Sequence, residues 1–259
     1  MDNTLDGISI IMPAFNSSST ISESINSVLR QSYRKWELIV IDDNSTDATR
    51  KIVEKYAKEN KNITLIVNDN NMGVAATRNI GIQSANFSWI AFLDSDDLWE
   101  KSKLKKQVDY LSNNEEAKLI YTGSAYIDKS GEKKKFTLEV PSSVSYEELL
   151  SQNIISCSSV LIEREEMLKY PMPELDEIHE DFVVWLEVLS EGSRAFGVQE
   201  PLLIYRLSEN SKSGNKLKSA KMNWNVYKYL SIPFFKRIRL MVKYATSNLI
   251  KYFHIENDK

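Results

Sequence analysis

Residues 89–99 read WIAFLDSDDLW. The apolar run Trp89 to Leu93 has the character of a buried strand, and it stops abruptly at Asp94, Ser95, Asp96 and Asp97. Carboxylates this close repel one another, and burying any of them unpaired is costly. The pattern therefore calls for a positive group at the end of this strand.

The same strand-then-acid grammar recurs upstream. ISIIMP (8–13), WELIVI (36–41) and NITLIV (62–67) read as strands. Between them lie helical patterns over 19–31 and 45–60, the second opened by Ser45, with further helices from about Val74 to Ser84 and Lys101 to Leu111. Strands alternating with helices predict right-handed crossovers and a mostly parallel sheet covered on both faces. Ligands in such sheets bind beyond the carboxyl ends of the strands. That rule selects Pro13 to Asn16, Asp42 to Ser45, Asn68 to Gly73 and Asp94 to Asp97.

Downstream the pattern is less regular. Strands are expected around a Ser130-Gly131 turn, with Lys133 to Lys135 a solvated run and SSVLIERE a short strand. HEDFVVWLEVLSEG (179–192) predicts an apolar-faced helix that begins with two acids and ends at Gly192. RAFGV and LLIYRL read as closing strands, and the chain beyond residue 214 is helical in composition apart from a break at Pro233.

A chain of 259 residues, 42% hydrophobic and 27% charged, has ample size for a core. The single cysteine, Cys157, excludes an internal disulfide and fits a reducing compartment, where it reads as a small buried residue. The start lacks a signal-peptide pattern, and no segment has the apolar length of a membrane span. A cytoplasmic protein is expected. The net charge of −3 hides an asymmetry: ten Lys or Arg and no acid lie between Ser211 and Lys251, leaving 23 basic against 36 acidic residues elsewhere. That is the pattern of a catalytic unit with a separate electrostatic contact surface, not of a nucleic-acid groove, and no nucleic-acid partner is expected.

The two acidic clusters, VIDDNSTD and FLDSDD, should converge on one sheet edge. Asp94 and Asp96 offer hard oxygen ligands at i and i+2, suited to Mg²⁺ or Mn²⁺ holding a diphosphate. Alone, an Asp after a strand is more often a turn former or helix cap; the two clusters together carry the argument.

SIIMPAFN (9–16), VIDDNSTDAT (40–49), NMGVAATRNIGI (71–82), AFLDSDD (91–97), HEDFVVWL (179–186) and YRLSENSKS (205–213) occur in the order found in one family. The chain resembles the family 2 inverting glycosyltransferases, of the bacterial type that builds O-antigen or capsule repeat units. The resemblance implies the α/β GT-A nucleotide-diphospho-sugar transferase fold, with a mostly parallel central sheet flanked by helices and a C-terminal basic helical tail. Residues 1–213 would form the catalytic domain, with a nucleotide-binding half (1–113) and an acceptor half (114–213), and 214–259 a helical extension.

The resemblance also implies roles. Pro13, Ala14 and Phe15 would line the base pocket, Asp43 would receive the uracil N–H, and Asp42 would support that loop. Arg78 would approach the nucleotide, and Asp94 the ribose or a metal-bound water, with Ser95 counted beside it. Asp96 would ligate Mn²⁺ or Mg²⁺, the metal then being the positive charge demanded above. Asp181 would be the base that takes the acceptor proton, with Glu180 holding the acceptor or its loop. Arg206 and Ser211 would serve the lid; independently of the resemblance, the place of Trp99 just after the acidic cluster would let it floor an acceptor sugar. Related chains often read Tyr-Arg-x-His where this one has Ser208, a poor ligand.

The implied activity is transfer of a hexose from a UDP-sugar to a hydroxyl of an undecaprenyl-diphosphate-linked glycan at the inner face of the membrane. Two alternatives are a nucleotidyltransferase, whose glycine-rich phosphate loop MPAFNSSST does not supply, and a non-catalytic sugar-nucleotide-binding partner in a membrane complex. The basic stretch 223–253 is either a helical pair with a solvated face or a segment lying on anionic lipid, with Phe234, Phe235, Tyr252 and Phe253 inserting shallowly.

Overall fold

The computed structural model describes residues 5–114, 116–207 and 216–257, excepting the side chains of 216 and 247–257. In chain order the elements are β1 (Ile8–Ala14), α1 (Ile21–Leu29), β2 (Trp36–Asp42), α2 (Thr49–Glu59), β3 (Ile63–Val67), α3 (Val74–Ser84), β4 (Trp89–Phe92), β5 (Leu98–Trp99) and α4 (Lys103–Ser112). There follow β6 (Leu119–Ile127), β7 (Lys133–Leu138), β8 (Ser143–Val144), α5 (Tyr146–Ser151), a 3-10 turn at Cys157–Ser159 and β9 (Leu161–Glu163). The chain continues through α6 (Arg164–Lys169), α7 (Glu180–Ser190), β10 (Ala195–Arg206), α8 (Lys216–Tyr229) and α9 (Phe234–Asn257).

One sheet runs in the order β3-β2-β1-β4-β9-β6-β10-β5, with β7 on β6 and β8 on β10. Its first four strands are parallel, as the strand–helix alternation requires. Beyond them the sheet is mixed: short β9 runs antiparallel to both β4 and β6 and joins the two halves. The expected closing strands are one strand, β10, whose register shifts on either side of Pro201. Proline cannot donate to a ladder, and the irregularity absorbs it. The run Lys133 to Lys135 belongs to β7, where Lys134 is partly buried and reaches Asp128 at 3.1 Å.

The period of two along β1 divides the core. Ile8, Ile10 and Met12 enter one apolar cluster with α1, while Ile11 enters the other with α3 and α7. Val226, Tyr227, Ile232 and Leu240 belong to that second cluster, so α8 and α9 pack onto the body. Helix α2 starts at Thr49, four residues later than Ser45. The Ser45 hydroxyl is taken by the Asn16 N–H, and the Asp47 carboxylate accepts from the Thr49 N–H instead.

Helix α3 lies unusually close to the sheet. A β-carbon at Gly81 would sit 2.5 Å from Ile11 Cγ2 and 2.8 Å from Ile41 Cδ1. Gly81→Ala is therefore expected to lower the unfolding free energy by about 1–3 kcal/mol, measurable by urea denaturation; unchanged stability would show that α3 can lift without cost.

Candidate active site

Strands β1 and β4 pair only from Ile8–Trp89 to Ile11–Phe92. Past that point they part, at the place where strand order reverses, and the acidic stretch 94–97 lines the opening. Pro13 falls beyond the last β1–β4 pair. Pro13 and Ala14 are buried in β1, whereas Phe15 is 48% exposed at its mouth.

The protein's own answer to the clustered carboxylates is Arg78. This guanidinium is 4% exposed; its Nη2 donates to Asp94 Oδ1 at 2.5 Å and its Nη1 to Glu180 Oε1 at 2.9 Å. The planar fork thus joins the loop after β4 to the first residue of α7. In this arrangement Arg78 faces carboxylates, not an open nucleotide pocket. Glu180 is equally buried, at 5%, and engaged with Arg78.

A second cation fixes the other side of the acidic loop. Arg206, at the end of β10, donates through Nε to the Asp96 carbonyl at 2.9 Å and through Nη2 to Glu23 Oε2 at 2.6 Å. Its backbone N–H donates to Asp97 Oδ1 at 3.0 Å. Arg206 is 6% exposed and clamps the acidic loop to α1.

The loops after β1 and β2 are stitched to the same place. Ser95 is 9% exposed; its hydroxyl lies 2.7 Å from Ser17 Oγ, and its carbonyl accepts from Ser24 Oγ at 2.9 Å. Asp43 accepts from Met72 N and Gly73 N, both at 2.9 Å, and from Asn68 Nδ2 at 2.8 Å. With three donors aimed at it, one lone-pair direction remains. Asp43 therefore does the loop-supporting work assigned to Asp42. Asp42, 1% exposed, receives Ser45 N at 3.4 Å on Oδ2, and its Oδ1 has no hydrogen-bond partner.

Trp99 is corrected. It is 3% exposed, its indole N–H donates to the Ser158 carbonyl at 2.7 Å, and Lys103 Nζ lies 4.0 Å from its ring centroid. Pairing with Leu203 across β5 and β10 draws the indole into the core, where it cannot floor a sugar. Ser211 and Ser208 lie outside the described residues.

The chain matches the profile described as Glycosyl transferase family 2 over residues 9–168. It belongs to that family. A relative from Escherichia coli, UDP-Glc:alpha-D-GlcNAc-diphosphoundecaprenol beta-1,3-glucosyltransferase WfgD, is 34% identical over 262 residues, covering all of both chains. Among solved structures, S. aureus TarS in complex with UDP-GlcNAc superposes with TM-score 0.73 at 19% identity, covering 92% of this chain and 71% of that one. The mannosyltransferase PcManGT from Pyrobaculum calidifontis, in complex with GDP-Man and Mn²⁺, superposes with TM-score 0.70 at 18% identity, covering 89% and 66%. These likenesses establish the GT-A transferase fold.

For a family 2 transferase the donor set for a divalent ion can be tested on the residues themselves. No group of three or more His, Cys, Asp or Glu gathers among the described residues. Two carboxylates suffice when substrate phosphates and waters complete the shell. Burial, and then the Asp94 charge, push the Asp96 carboxyl up to about 6, the signature of a desolvated acid beside a like charge. Asp96 offers its side chain while Arg206 holds its backbone, and Asp94 keeps a second oxygen beyond the one bound to Arg78. Hard oxygens so placed fit Mg²⁺ or Mn²⁺.

Burial also pushes the Asp181 carboxyl up to about 7, with the Glu180 charge adding to it and Arg78 opposing. Near this group lies the Cys157–Ser159 turn, so that the expected strand SSVLIERE begins only at Leu161. Ser158 Oγ accepts from Asp94 N at 3.1 Å, and Cys157 is close enough to Arg78, Asp94 and Asp181 to feel all three charges. Its thiol is pushed well up by burial and stays neutral. Glu23 was missed: on α1 it reads as an ordinary polar-face residue.

The Asp181 shift has a stability consequence of definite sign. The folded pKa lies above the unfolded value, so the native state binds the extra proton and stability falls as pH rises from about 4 to about 7. Asp181→Asn should therefore gain thermal stability relative to the parent on going from about pH 5 to about pH 8, read by calorimetry. An equal difference at both pH values would contradict the buried, proton-holding environment.

Proposed function

We propose that this transferase moves a hexose from a UDP-sugar, with inversion, to a hydroxyl of a glycan carried on undecaprenyl diphosphate, in the synthesis of a surface polysaccharide. The observation that carries the reading is the Arg78 bridge. One guanidinium holds both the loop that would face the donor diphosphate and the helix that begins Glu180-Asp181. The donor and acceptor follow those named for the E. coli relative, and TarS with UDP-GlcNAc supports a uridine nucleotide.

Asp181 is the proposed base. A carboxyl titrating near neutrality is matched to taking a hydroxyl proton as the acceptor oxygen attacks the anomeric carbon. Glu180, tied to Arg78, orients the start of α7 so that Asp181 meets the acceptor on the face opposite the leaving diphosphate. Mn²⁺ or Mg²⁺, held by Asp96 with Asp94 beside it, would supply positive charge to the departing diphosphate. Phe15 would stack on the base, and Asp43, with the lone-pair direction its three donors leave, would receive the uracil N–H. The 214–259 segment would bring the enzyme to the inner face of the membrane; no helix among the described residues is long and apolar enough to cross it.

Calorimetric titration with UDP, GDP and dTDP, each with Mn²⁺ and with chelator, tests the donor half. UDP should bind in a metal-dependent way, and Asp96→Ala should abolish that dependence. Indifference to all three nucleotides in folded protein would overturn the reading. Asp181→Asn tests the base: turnover should fall about 10²–10⁴-fold with UDP affinity unchanged.

A further inference from the structure

Helix α9 has two unlike faces. Leu240 is buried, Lys236 pairs with Glu147 at 3.0 Å, Lys243 donates to Ser151 Oγ at 3.1 Å, and the Tyr244 hydroxyl lies 3.1 Å from Ser219 Oγ. Positions 236, 240, 243 and 244 make one helical stripe, and it faces the body. Positions 235, 238 and 242 fall on the opposite stripe, where Phe235 is 84%, Ile238 43% and Val242 61% exposed. Phe234, 54% exposed, differs: its ring meets Trp224 edge-on at 6.0 Å, and the Arg237 guanidinium lies 4.9 Å from the Trp224 ring centroid and 5.6 Å from that of Phe234.

Three bulky apolar side chains on one exposed stripe are expensive to leave in water. Their surroundings say what covers them. Arg239 lies between Ile238 and Leu240 on the exposed side, Lys221 and Lys228 are exposed on α8, and no acid occurs between Ser211 and Lys251. A second copy meeting this stripe with its own would set basic rim against basic rim. An anionic bilayer satisfies both the apolar stripe and its charge.

We infer that the Phe235–Ile238–Val242 stripe of α9 is the surface by which the protein docks on anionic lipid, and that α8 holds it in fixed orientation to the acceptor end of the site. The coupling is direct. Ser219 of α8 touches both Tyr244 of α9 and, at 3.2 Å, His179 Nε2, the residue before Glu180 and Asp181. Asn225 of α8 also donates to the Glu177 carbonyl at 3.0 Å. A membrane seated on α9 would thus be registered against the helix that carries the proposed base. The inference deepens the proposed function and rests on its lipid-linked acceptor, but the stripe itself is read from exposure and charge.

The test is co-sedimentation of the full chain with phosphatidylcholine vesicles, with or without phosphatidylglycerol, without nucleotide. The wild type should bind the anionic vesicles. Phe235→Ser/Ile238→Ser/Val242→Ser should weaken that binding at least about tenfold, and Arg239→Glu should weaken it on anionic vesicles alone. Circular dichroism melts confirm that these exposed changes leave the fold intact. No vesicle binding by the wild type, or equal binding by the triple variant, would overturn the inference. So would self-association of the wild type that the triple variant loses, seen by sedimentation velocity, because a second copy would then be the occupant. Vesicle binding in a protein that fails the UDP titration would sink the transferase substrate reading while leaving the docking surface standing.

Discussion

Two oxygens on either side of one buried guanidinium organise this molecule. Arg78 binds Asp94 at the end of β4 and Glu180 at the start of α7, residues far apart in the chain. Removing one partner from a buried ion pair costs about 3–5 kcal/mol, because the remaining charge is left without compensation. The bridge is held in place by the packing of its own helix. Gly81 lets α3 approach Ile11 and Ile41, and Asp43 anchors the N-terminal turn through Met72 and Gly73, whose φ of 85° suits glycine.

Around that bridge, environment separates carboxylates of similar chemistry. Asp94 and Glu180 are ion-paired. Asp97 is enclosed, pushed well up by burial and by its acidic neighbours, and held by the Arg206 N–H. Asp96 and Asp181 are desolvated without a strong cationic partner of their own, and both are raised toward neutrality. A raised carboxyl is costly to ionise, so it favours a cation or a proton arriving from outside. In the proposed mechanism this difference would prepare Asp96 for a metal and Asp181 for proton transfer.

The C-terminal helices belong to the same design. Met222, Val226 and Tyr227 of α8 are core residues, and the Tyr227 hydroxyl donates to the Leu150 carbonyl at 3.0 Å. An apolar stripe on α9 is therefore carried by a rigid part of the catalytic body. Under the proposed docking, orientation of the membrane relative to the start of α7 would follow from packing, with no need for a flexible tether.

The four parallel strands, their helices and the place of the site were legible in sequence, because period and strand-end chemistry are local properties. The boundaries of α3 and the core placement of Trp89 and Trp185 follow from the same local patterns. Which charge answers Asp94 was not legible: Arg78 and a metal are equally good answers in one dimension, and only packing shows that Arg78 reaches the loop. The hold of Asp43 on the loop before α3, the burial of Trp99 by β5 and β10, and the clamp from Arg206 to Glu23 all depend on contacts between distant segments. Periodicity determined the elements of this protein, and the tertiary structure decided which of its carboxylates are paired with a cation and which are desolvated without one, because pairing is set by distance in space.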